Sequence, residues 1–151
     1  MTLQLKRGER LFDQGQQVLV SQPFSRLLGT ELRDLREGYA ELALRIREDF
    51  KQSYGYVHGG VVSYLADNCL TFAGATVLGA CVTSEFKINY VMPTIGEVIW
   101  LMALTVASRG GSPSSVMMRS TFSTTTIASS TRMPIARTMP NSVNTLIEKP
   151  R

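Results

Sequence analysis

The chain is poor in the residues that build metal sites and covalent frameworks. Among its 151 residues are one histidine, two cysteines and one tryptophan. A single histidine argues against a dedicated zinc site. Cys69 and Cys81 make neither a disulfide framework nor a metal box, so no metal is expected. The opening "MTLQLKRGERLFDQ" lacks an apolar core of the kind a signal peptide needs. The longest apolar stretch, residues 60–82, is broken by Asp67, Asn68 and several glycines, which reads as a buried helix rather than a membrane span. The cytoplasm is therefore the expected location, with no membrane partner. What is present is an ordinary globular composition, 44% hydrophobic, in a chain long enough for one domain with a real core.

Charge is unevenly placed. Residues 1–107 hold 10 Lys and Arg against 11 Asp and Glu, whereas residues 108–151 hold 6 against the single acid Glu148. The net +4 thus comes from the tail. Its basic residues are scattered without aromatic interleaving, so nucleic acid is not an expected partner. Ser and Thr make up 16 of those last 44 residues but only 12 of the first 107, and aspartate is absent from the tail.

The periodicities place the elements. Leu11, Phe12, Val18 and Leu19 suit a helix docked by one face, and Pro23 suits the start of a second short turn. Residues 1–28 read as an N-terminal helical segment. Leu32 and Leu35 precede a turn at Arg36-Glu37-Gly38. Beyond it Ala40, Leu42, Leu44 and Ile46 alternate with Glu41, Ala43, Arg45 and Arg47, which predicts an antiparallel hairpin. From Gly59 or Gly60 to about Leu78 the apolar residues are nearly continuous, the length of a central buried helix, with Gly79 as its stop. Val82, Ser84, Phe86, Ile88 and Tyr90 alternate as a strand closed by Pro93, and "GEVIWLMALTVAS" reads as another. "SVMMRSTFSTTTIA" tolerates a strand. "TRMPIARTMPNSVNTLIEKPR" has three prolines and reads as mostly irregular. The order predicts an α+β domain over 1–151, an antiparallel sheet wrapped around one long helix.

The stretch "QSYGYVHGGVVSYLADN", Gln52 to Asn68, places the only histidine and two glycines at the start of that helix. A helix N-terminus exposes unpaired N–H groups and the positive end of the dipole. Glycine lets a ligand oxygen approach them, which is the equipment of an oxyanion hole. Asp67 lies about two turns on, placed for general-base or nucleophilic work. Each residue alone has a plainer reading: Gly59-Gly60 a common turn, His58 a capping histidine, Asp67 a paired structural acid, Asn68 a buried polar anchor. The combination is more specific than any member.

That combination resembles the hotdog-fold acyl-CoA thioesterases of the phenylacetate-pathway (PaaI-like) group. Their pattern is an Asn, five residues, His-Gly-Gly, and an acid nine positions after the His, here His58, Gly59, Gly60 and Asp67. "VTSEFKINYVMPTIGEVIWLMA" resembles the next two strands of the family, and the match spans roughly residues 20–108. The resemblance implies a hotdog fold that dimerises through its sheets, often pairs into tetramers, and builds its site between subunits. It implies that the Gly59 N–H polarises the thioester carbonyl. Asp67 of the neighbouring subunit would activate water or attack directly. His58 would position substrate or loop, and Thr83 would hold the attacking water. Gln52 takes the place of the family's Asn, and Gly60, Asn68, Tyr56 and Val57 are expected at the substrate. The implied partner is acyl-CoA, with no metal or redox cofactor.

Two departures stand out. Gln52 adds a methylene to the usual Asn, which displaces its amide, and small misplacements are expensive in rate. The tail also leaves the family pattern: 29–107 matches the hotdog core well, and 108–151 is an atypical Ser/Thr-rich continuation. A shifted reading frame from about Ser108 accounts for the change in charge and composition, and DNA sequencing across that point tests it. Two other readings remain, a non-catalytic hotdog that binds acyl-CoA and a hotdog dehydratase or hydratase. The spacing of His58 and Asp67 fits the thioesterase better. Tyr54, Tyr64, Phe72 and Phe86 are read as core or interface residues, and Arg45, Arg47 and Lys51 as solvated charges.

Overall fold

The computed structural model describes residues 7–90, 92–106, 115–125 and 142–148, with 7–9, 105–106 and the last two segments described by backbone alone. Helices α1 (Arg7–Ser21) and α2 (Pro23–Leu28) are followed by strands β1 (Thr30–Arg36) and β2 (Tyr39–Arg45). A 3-10 turn at Glu48–Phe50 leads to the long helix α3 (Gly59–Leu78). Strands β3 (Val82–Ile88), β4 (Val98–Val106), β5 (Ser115–Thr125) and β6 (Ser142–Glu148) complete the chain. The six strands form one antiparallel sheet in the order β1-β2-β4-β5-β6-β3.

The sheet curls around α3, as the apolar run predicts. Ala40, Leu42 and Leu44 of β2 and Ile99, Leu101 and Ala103 of β4 are fully buried, opposite Leu65, Cys69 and Leu70 of α3. The Cys69 thiol donates to the carbonyls of Ala40 (3.4 Å) and Leu101 (3.3 Å), and burial pushes its pKa up, so it is a core thiol and not a nucleophile. Helix α3 has the length and mean hydropathy, 1.3, of a membrane span. Ten of its 20 residues are buried against the sheet and the N-terminal helices, which makes it the core helix. Gly79 stops it at φ 77°, a left-handed value that favours glycine. Gly38 makes the β1–β2 turn at φ 74° and donates its N–H to Thr76 Oγ1 at 2.7 Å, tying that turn to α3.

One expectation is corrected. Residues 142–148 lie in the segment read as mostly irregular, yet they form β6, between β5 and β3. Pro140 and Pro150 bracket this strand and lie outside it, so they break no ladder bond. The point at which the composition changes, Ser108, lies outside the described residues.

Candidate functional site

The loop before α3 is held by its backbone. Gln52 N–H donates to Tyr56 O at 2.8 Å and Gly55 N–H to Gln52 O at 2.9 Å. Val57 N–H reaches Thr94 O at 3.0 Å, and His58 N–H reaches Phe50 O at 2.8 Å. Phe50 is buried, with the Arg47 guanidinium 4.1 Å over its ring, so the loop has a fixed base. The chain enters α3 at His58, whose φ −63° and ψ 134° make it the N-cap.

The first N–H groups of a helix lack intrahelical partners, and here all but one find others. Gly60 N–H donates to His58 Nδ1 at 2.9 Å. Val61 and Val62 N–H both reach His58 O, at 3.0 and 3.4 Å. Among the described residues Gly59 N–H has no partner. It sits at the positive end of the dipole, beside a cleft of about 320 Å³ lined by Gln52, Tyr56, Val57, Gly59 and Tyr90, with the 92–94 loop as the far wall. The Gln52 carbonyl Oε1 accepts from Tyr54 N–H at 3.2 Å, which leaves the amide NH₂ as the end to face the cleft.

The structure thus brings together Gln52, Tyr56, Val57 and Gly59, with His58 and Gly60 as the cap beneath them. It does not bring Asp67 to the same point. Eight residues of helix separate Asp67 from Gly59, a rise of about 12 Å at 1.5 Å per residue, too far for both to act on one carbonyl. Among the described residues the Asp67 Oδ1 atom is out of water with no hydrogen-bond partner. Buried polar atoms are nearly always paired, which sets this oxygen apart among the described residues. Thr83, expected beside the attacking water, lies 3.0 Å from Thr71 Oγ1, and Thr71 Oγ1 donates to Asp67 O at 2.9 Å.

Asn68, expected at the substrate, is buried elsewhere. Its Nδ2 donates to Tyr64 OH at 3.2 Å and Ser25 Oγ at 3.3 Å. Tyr64 OH donates to Ser25 Oγ at 2.8 Å and meets Thr30 Oγ1 at 2.8 Å. This network fastens α3 to α2 and β1. The plainer reading also holds for the basic residues near the loop: Arg47 pairs with Asp49 at 3.0 Å and Lys51 with Glu48 at 2.6 Å.

Sequence reasoning missed Ser63, Thr71 and Tyr90. The spacing of Gly59, Ser63, Asp67 and Thr71 at i, i+4 puts them on one stripe of α3, a signal present in the sequence. Tyr90 reads as a strand residue, but β3 ends at Ile88, and the side chain reaches back over Gly59.

A second, apolar cleft of about 260 Å³ lies between α1 and α3, with Val18, Leu35, Phe72 and Ala75 in its walls. Thr71, one turn beyond Asp67, also lines it.

Comparison with known proteins agrees with this architecture. Residues 54–112, which include α3 and all of the cleft lining except Gln52, match the family described as the thioesterase superfamily. No curated protein matches the chain. Among solved structures, the E. coli PaaI protein from the phenylacetic acid degradation operon is similar at TM-score 0.78 and 12% identity, covering 97% of each chain. A thioesterase family protein from Silicibacter pomeroyi is similar at TM-score 0.77 and 20% identity, covering 91% of this chain and 96% of that one. A variant of the phenylacetic acid degradation protein PaaI from Thermus thermophilus follows at TM-score 0.69 and 20% identity, over 85% of this chain and 99% of that one. The chain has a hotdog fold, matches the thioesterase superfamily over residues 54–112, and is similar in fold to the two PaaI proteins.

Proposed function

We propose that the protein hydrolyses the thioester of an acyl- or aryl-CoA, releasing the free acid and coenzyme A. The observation that carries this reading is the pair of unsatisfied groups on one helix, the Gly59 N–H and the Asp67 carboxylate. Because they lie about 12 Å apart along α3 in one chain, the reading requires a second copy, with Gly59 of one subunit facing Asp67 of the other. Strand β3 supports this: it is a sheet edge, and Val82 on it is exposed, so two sheets can continue through it.

The chemistry follows from these groups. The thioester carbonyl accepts from Gly59 N–H. Asp67 takes a proton from water, and the hydroxide adds to the carbonyl carbon. The tetrahedral oxyanion forms where the N–H and the helix dipole already point. Its collapse breaks the C–S bond, and the proton held by Asp67 goes to the departing thiolate. No step requires a metal or redox cofactor. The acyl group has an apolar destination in the cleft between α1 and α3. We place the protein in the cytoplasm as a homodimer or dimer of dimers.

A panel of short-chain, long-chain and aromatic acyl-CoAs, followed by thiol release, tests the reading. Turnover that is lost in Asp67→Asn is expected. A folded dimer that binds acyl-CoA but hydrolyses none would favour the non-catalytic reading, which the lengthened amide of Gln52 supports.

A further inference from the structure

The Gly59 N–H is useful as an oxyanion donor only if its direction is fixed, and it belongs to the most flexible pair of residues in the helix. The structure shows what restrains them. The peptide unit joining Gly59 to Gly60 has two polar ends, the Gly59 carbonyl and the Gly60 N–H. The Gly60 N–H is held by His58 Nδ1 at 2.9 Å. The Gly59 carbonyl accepts from Tyr90 OH at 3.1 Å. The phenol proton is thereby used, so Ser63 Oγ, which also contacts Tyr90 OH, is the donor in that pair. The Tyr90 ring covers Gly59 closely: a Cβ added there would lie 3.5 Å from Tyr90 Cζ. Tyr90 is half exposed, at 52%, so its position comes from these contacts and not from burial.

We propose that Tyr90 is a positioning residue that, together with His58, clamps the Gly59–Gly60 peptide from both ends and so aims the neighbouring Gly59 N–H into the cleft. An accepting Nδ1 places the imidazole proton on Nε2, so His58 holds this peptide through the Nδ1 lone pair and keeps its Nε2–H free to donate elsewhere. The same ring walls the cleft, so the substrate carbonyl and the clamp would act on the two peptides that flank Gly59. Preorganisation of this kind lowers the transition state without tightening ground-state binding, so its loss appears in kcat and not in KM.

The test uses Tyr90→Phe, which keeps the ring and removes only the hydroxyl. One arm is amide hydrogen exchange at Gly60 in the ¹⁵N-labelled full chain. This arm does not depend on activity. With the carbonyl end released, exchange at Gly60 is expected to quicken by about tenfold, the equilibrium equivalent of one ordinary hydrogen bond. The second arm rests on the thioesterase reading: kcat is expected to fall by about the same factor with KM unchanged. Gly60 exchange that is unchanged in a folded Tyr90→Phe protein overturns the clamp. Quickened exchange with kcat intact overturns the positioning role, as does a change confined to KM, which would make Tyr90 only a wall. If the wild type hydrolyses no acyl-CoA, the functional reading fails, and the exchange arm alone decides the clamp.

Discussion

Helix α3 carries two polar clusters that differ in one respect. The cluster around Tyr64, Asn68, Ser25 and Thr30 is closed, its three hydroxyls and the Asn68 amide NH₂ joined at 2.8 to 3.3 Å. The stripe of Gly59, Ser63, Asp67 and Thr71 is open, with an N–H and a carboxylate oxygen left unpaired among the described residues. Both use similar residue types and share this helix, the closed one adding Ser25 from α2 and Thr30 from β1. A closed network fixes the position of an element, because every desolvated group is compensated. An open one retains groups for a ligand. Pairing, and not polarity or burial, separates the two clusters, and the proposed function rests on the open one.

The comparison can be broken at its open side first. Gly59 is the first residue of α3, where proline fits a helix, and His58 at ψ 134° already has the backbone that precedes proline. Gly59→Pro therefore removes the one unpaired N–H at little structural cost. Thioester turnover is expected to fall by roughly 10²–10³-fold, the usual cost of one oxyanion donor, with thermal stability close to wild type. Retained turnover would show that the donor lies elsewhere.

The closed side predicts the reverse. Tyr64→Phe leaves the ring against Phe24, 5.0 Å away between centroids, but strips the hydroxyl from the centre of its network. A loss of about 1–3 kcal/mol in unfolding free energy is expected by denaturant titration, from buried groups left unpaired, with turnover per folded molecule preserved. Between the two lies Gln52, which borders the cleft and also closes its own turn through Tyr54 N–H. Asn makes the same kind of turn contact with a shorter reach. Gln52→Asn is thus expected to change turnover by less than about tenfold and stability hardly at all.

Much of this was legible in the sequence. The nearly continuous apolar run gave the length of α3, and the alternation of Leu42 and Leu44 with Glu41 and Ala43 gave β2. The start of α3 was legible too, since His58, Gly59 and Gly60 can mark a helix N-terminus by themselves. Strand β6 was hidden because three nearby prolines outweighed a seven-residue strand pattern whose partners lie far away in sequence, in β3 and β5. Tyr90 was hidden for a similar reason. Its contact with Ser63 spans 27 residues and depends on β3 ending at Ile88, which alternation through Tyr90 concealed. Asn68 was expected at the substrate, with a buried polar anchor as its plainer reading, and its contacts are those of the anchor. Adjacent helical residues point about 100° apart, and that turn carries Asn68 to Ser25.

The most direct measurement compares Asp67 with its neighbour Asn68. Asp67→Asn and Asn68→Ala would be purified side by side, with acyl-CoA turnover and thermal unfolding recorded for each. Asp67→Asn is predicted to lose turnover by roughly 10²–10⁴-fold, the range for a general base, while melting close to wild type. Asn68→Ala is predicted to melt earlier while its folded fraction still turns over. Activity that survives in Asp67→Asn, or that is lost equally in a well-folded Asn68→Ala, would contradict the assignment of chemistry to the open stripe.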